Sequence, residues 1–106
     1  KPDRTRVFCM AVASSDDRDR GRPSSWSAAI DGMTSGFNDG QRRLMLVSAG
    51  NTVLQERKNY PDSNMTDSVH DPAQAWNALA VGGYTTKIIV DQNKFAGWQP
   101  LARAGD

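Results

Sequence analysis

The stretch Leu44-Met45-Leu46-Val47-Ser48-Ala49-Gly50-Asn51 decides the fold. Consecutive apolar residues that give way to small residues, a glycine and an amide describe a buried strand ending in a tight turn. In open parallel sheets, ligands collect outside the carboxyl ends of the strands. Asn51 stands at such an end. Its side chain is a neutral hydrogen-bond donor, the kind of group that can face a developing negative charge.

Working outward from it, residues 6–13 (Arg6-Val7-Phe8-Cys9-Met10-Ala11-Val12-Ala13) read as a second continuous apolar strand, expected to be covered on both faces. A mixed-charge loop follows, with Asp16-Asp17-Arg18-Asp19-Arg20 at its centre, and reads as a solvated connection whose charges compensate one another. Next comes a helix. Ser24 or Ser25 can cap it, Trp26, Ala29, Ile30, Met33 and Phe37 recur along one face, and Gly36 is its natural stop. Strand, helix and strand with short links form a βαβ unit, which makes the two strands parallel. Downstream, residues 52–71 read as a polar surface excursion, 72–77 as a single helical turn and 78–85 as a third strand. A short fourth strand is expected over 86–90, before a turn at Gly97-Trp98-Gln99-Pro100. The fold expected is α/β, a three-layer-type parallel sheet with a crossover helix.

Composition narrows the function. The 106 residues have room for one domain, with a formal net charge of +1 and 24% charged residues. That balance gives no field to gather nucleic acid or to bind an anionic membrane surface. No apolar run approaches the roughly 20 residues that span a bilayer. Cys9 is the single cysteine, set in an apolar run, and reads as a small buried hydrophobe. The single histidine, His70, lies in a polar stretch and reads as a surface residue. One Cys and one His exclude a zinc site of the usual ligands, and the acidic residues between 62 and 71 read as a solvated loop rather than a calcium cage. Neither a phosphate-binding glycine loop nor a G-x-S-x-G elbow occurs. No cofactor and no metal are expected. Lys1-Pro2-Asp3-Arg4 has neither an initiator Met nor an apolar signal core, and the chain reads as a piece cut from something longer.

Three segments in order, Ser25-Trp26-Ser27-Ala28-Ala29-Ile30-Asp31, the 44–51 stretch, and Asp71-Pro72-Ala73-Gln74-Ala75-Trp76-Asn77-Ala78-Leu79-Ala80-Val81-Gly82-Gly83-Tyr84-Thr85, carry a resemblance. Together they resemble the middle of a subtilisin-like serine protease (subtilase), over residues 6–85 and onward toward Asp106. The resemblance implies a partial subtilisin-like, Rossmann-like fold and a serine endopeptidase as parent. It implies that Asn51 is the oxyanion-hole asparagine, that Ala11, Val12 and Ala13 form one wall of the primary specificity pocket, and that Ser48, Ala49 and Gly50 form the opposite wall. Where the family usually has Ser-Leu-Gly-Gly, this chain has Ala11-Val12-Ala13-Ser14.

The family motifs that carry the catalytic Asp and His precede this region, the nucleophile motif follows it, and none of the three occurs here. Residues 1–106 are therefore expected to be a central fragment of a subtilase catalytic domain, inactive alone. The partners implied are a peptide or protein substrate in the parent enzyme, no nucleic acid and no membrane. Removing neighbouring elements would also bare a sheet edge or face, and the expectation is either a homodimer formed through it or an unusually disordered 52–71 loop. The alternative is a non-catalytic Rossmann-like interaction or regulatory module; a small-molecule domain lacks any cofactor signature.

Overall fold

The computed structural model describes residues 4–15 and 20–105. Residues Asp16, Asp17, Arg18 and Asp19 of the charged loop lie outside the described residues. The chain forms two compact units: Lys1–Asn51 with Asp67–Gly82, and Thr52–Thr66 with Gly83–Asp106.

The first unit is a parallel sheet and one helix. Strands β1 (Val7–Met10), β2 (Leu44–Ser48) and β3 (Leu79–Val81) lie in the order β1-β2-β3, so the diagnostic stretch is the central strand. Val7 pairs with Leu44 and Met10 with Val47, while Leu46 pairs with Leu79 and Ser48 with Val81, all parallel. Between β1 and β2 runs α1 (Ser25–Ser35). Its start is a reciprocal capping box. The Ser24 hydroxyl accepts from the Ser27 N–H at 3.0 Å, and the Ser27 hydroxyl accepts from the Ser24 N–H at 2.8 Å. Gly36 ends it at φ 78°, where a Cβ would come within 2.9 Å of the Gln41 backbone, so the stop requires glycine. Arg43 ties the return to β2 by donating to the carbonyls of Met33 and Gln41 and pairing with Asp39.

Alternation along the strands sorts the side chains. Met45 and Val47 are buried with Ile30, Ala73 and Ala75 in a small core, and Phe8, Met10, Trp26, Met33 and Ala78 pack around it. The helix face differs from the expected stripe. Ala29 and Phe37 are exposed, and Ser27 and Thr34 take the buried positions. Thr34 is tolerated there because its hydroxyl donates to the Ile30 carbonyl at 2.7 Å.

The other face of the sheet is open. Val7, Cys9, Leu44, Leu79 and Val81 are exposed, so within this unit the architecture is two layers rather than three, and β1 is not covered on both faces. Cys9 is thus exposed rather than buried. His70 errs in the opposite direction: it is buried, at 8% exposure. Strands β1 and β3 are shorter than the 6–13 and 78–85 expected, and residues 71–74 form a turn rather than opening a helical turn over 72–77.

The second unit holds two short helices, α2 (Leu54–Arg57) and α3 (Asp62–Thr66), where a polar excursion was expected. Neither is long enough to show an apolar period, so patterning could not reveal them. The fourth strand expected over 86–90 is not formed. In its stead the segment is irregular, with a turn in which Asp91 accepts from the N–H groups of Asn93, Lys94 and Phe95, and the Phe95 and Trp98 rings meet at 6.0 Å. Among the described residues no helix is long and apolar enough to cross a membrane, and no three His, Cys, Asp or Glu residues gather to hold a metal ion.

Candidate active site

Every residue singled out for the site belongs to the first unit and lies at or just beyond the carboxyl ends of β1 and β2. Asn51 follows the central strand by three positions. It is exposed, and its side chain makes no hydrogen bond to the described residues. Gly50 precedes it at φ 116°, a conformation open to glycine, and its N–H donates to the Ser48 hydroxyl at 3.3 Å. The turn thus frees the amide of Asn51 from the sheet without consuming it in local bonds.

A depression of about 240 Å³ opens at these strand ends. Ala11 and Ser48 line it, with Cys9, Met10 and Val81; Val12, Ala13, Ala49 and Gly50 lie farther along and do not. Of these last four, Val12 is exposed and Ala13, Ala49 and Gly50 are half-buried. The lining is almost wholly apolar side chain, which suits a hydrophobic or neutral group better than a charged one.

The β1–β2 ladder stops at the Met10–Val47 pair. Beyond it, the continuations of β1 and β2 are joined through a third segment. The Ser14 N–H donates to the Asp71 carbonyl at 2.7 Å, and the His70 N–H donates to the Ala49 carbonyl at 2.9 Å. His70 Nδ1 lies 3.0 Å from the Ser14 carbonyl. A carbonyl only accepts, so Nδ1 carries the proton and neutral His70 is the Nδ1–H tautomer. The ring rests on Gly50: a Cβ built there would come within 2.5 Å of His70 Cγ. Asp71 in turn accepts from the Ser24 hydroxyl at 2.6 Å and from the Gln74 amide at 3.0 Å, which joins this strap to the start of α1.

Reading the sequence by polarity missed His70. A polar neighbourhood argued for exposure, yet the residue sits between two strand ends. The available signal was Gly50, whose missing side chain leaves the space that the imidazole fills.

A parallel α/β unit with a free amide and an apolar hollow at its strand ends has the layout of a ligand cleft. The model of the subtilase family, peptidase S8, matches residues 1–102, and the chain belongs to that family of serine peptidases. No curated protein and no solved structure showed significant similarity to it.

Proposed function

We propose that this chain is the central part of a subtilisin-like serine endopeptidase domain, in which Asn51 donates its side-chain amide to the oxyanion of the tetrahedral intermediate. Residues Ala11, Val12 and Ala13 and residues Ser48, Ala49 and Gly50 flank the substrate side chain next to the scissile bond. What carries the reading is the position of Asn51, exposed and uncommitted after the central strand of a subtilase-family chain.

The chemistry follows from that position. Attack on a peptide carbonyl places negative charge on its oxygen, and a donor already held in place stabilises that charge without reorganising. Small side chains at 11, 13, 48, 49 and 50 let a peptide backbone approach the strand ends. The triad Asp, His and Ser come from sequence outside residues 1–106, so the chain alone does not hydrolyse peptides.

In the assembled protease, Asn51→Ala is expected to lower kcat by about 100- to 1,000-fold, the loss known for this donor in subtilisin itself, with KM little changed. A loss confined to KM would contradict the role. The chain alone should stay unlabelled by a fluorophosphonate probe, and specific labelling would show that a nucleophile resides in it.

A further inference from the structure

We infer that Asp71 is a positioning residue of this peptide site: it holds the end of residues 11–13 by its main chain and the start of α1 by its side chain, and so fixes where that stretch of backbone stands. The inference rests on the proposed endopeptidase reading and adds to it a residue that touches neither substrate nor oxyanion.

Three observations carry it. Residues 11–13 lie past Met10–Val47, the last pair of the β1–β2 ladder, so regular strand pairing does not hold them. Directly after Ala13, the Ser14 N–H donates to the Asp71 carbonyl at 2.7 Å. The Asp71 carboxylate is anchored elsewhere: its Oδ1 accepts from the Ser24 hydroxyl at 2.6 Å and from the Gln74 amide at 3.0 Å, and that amide also donates to the Arg22 carbonyl at 3.0 Å. The connection from Ser14 to Ser24 therefore begins and ends against the same residue.

The anchoring is stiff. An aspartate has only two side-chain torsions, so a carboxylate pinned by two donors leaves its own carbonyl little room to swing. Without that carboxylate, residues 11–13 would still meet residues 70–71 but would no longer be referred to the helix. Substrate rests on that backbone in the ground state and the transition state alike, so loosening it weakens both equally and raises KM without lowering kcat. Asn51 follows the central strand, which keeps both of its ladders.

Two measurements test this. In the chain itself, Asp71→Ala should speed hydrogen exchange of the Ser14 amide by about threefold to tenfold relative to the amides of β2, the range one hydrogen bond supplies. Asp71→Asn, whose Oδ1 can accept the same two bonds, should restore the slow rate. In the assembled protease, with active sites counted by a fluorophosphonate, Asp71→Ala should raise KM by a similar threefold to tenfold at little-changed kcat, about one hydrogen bond's worth, and Asp71→Asn should bring KM back. A role confined to stability would lower the number of active sites and leave KM where it was, which overturns the inference. Ser14 exchange that keeps step with β2, or an Asn variant as impaired as the Ala variant, overturns it too. Each of these failures leaves the endopeptidase reading standing; that reading fails instead if Asn51→Ala spares kcat. Should Asp71→Ala not fold, Ser24→Gly decides, because a helix start tolerates glycine in place of serine while the bond to Asp71 is lost. It should raise both Ser14 exchange and KM, and no change in either refutes the inference.

Discussion

The Ser24 hydroxyl lies 2.6 Å from Asp71 Oδ1, across 47 residues of sequence. The Ser24 hydroxyl oxygen also accepts the Ser27 N–H at the start of α1. One side chain therefore both begins the helix and fastens the segment that carries His70. The core cluster of this unit is small, Ile30, Met45, Val47, Ala73 and Ala75, and this polar contact adds to what holds the strand ends in place.

Ser24→Ala is expected to destabilise the fold by about 2 kcal/mol, from the lost cap and the lost bond to Asp71 together. Urea unfolding measures it. The His70 amide should also exchange faster in the variant, because its segment loses its tie to the helix. A loss under about 0.5 kcal/mol would mean that the hydroxyl performs neither task.

Asp39 supplies a pH signature. The Arg43 guanidinium, and after it the Gln41 N–H, hold its carboxyl down at about 2, against an ordinary 3.8. A carboxylate lowered on folding contributes stability above its unfolded value, and that contribution is lost as the pH falls toward the folded one. Asp39→Asn should therefore lower Tm at pH 7, by a difference that shrinks as the pH falls below about 4 and is mostly lost by about pH 2. The effect should be small, because Asp39 is 46% exposed and the pair is screened by solvent. A Tm difference that persists undiminished at pH 2 would show that the carboxylate charge is not its source.

The open sheet face gives a third expectation. Cys9 is exposed beside Val7, Leu44, Leu79 and Val81, so a maleimide should label it in the native chain without denaturant. Self-association through this face would slow labelling as concentration rises, in step with a dimer mass by light scattering. Labelling that is slow at every concentration, with a monomer mass, would show the face to be closed by the chain itself.

How far the sequence could be read depended on what each residue answered to. The central strand, a serine start (Ser24 or Ser25) and glycine stop for α1, and the parallel β1–β2 pairing follow from simple rules: an apolar run, a serine ahead of the first turn, a glycine after the last, and short links around a helix. Ser27 and Thr34 on the buried face were hidden from a polarity reading, since their hydroxyls are satisfied by the helix backbone itself. Cys9 and His70 were misjudged for a shared reason. Burial was inferred from sequence neighbours, whereas Cys9 faces an uncovered side of the sheet and His70 fills the room above a glycine from elsewhere in the chain. Asn51 was legible as a position, because a strand end is a local event; what closes the cleft beside it depends on His70–Asp71 meeting Ser14 and Ala49, which no short window contains.

The capping of α1 has a consequence in time. Both of its ends are fixed by residues within a few positions, Ser24 with Ser27 and Gly36 with Gly32, whereas β1 reaches β2 by joining Val7 to Leu44 around the whole helix. Helical turns settle within about a microsecond, and pairing of distant strands waits on closure of the intervening loop. On a ribosome, which adds about 5–20 residues each second, α1 can therefore form before β2 has been made. Alone, a helix of 11 residues is only marginally populated in water, so α1 offers Ile30 as a transient surface that is fixed when Val47 packs on it.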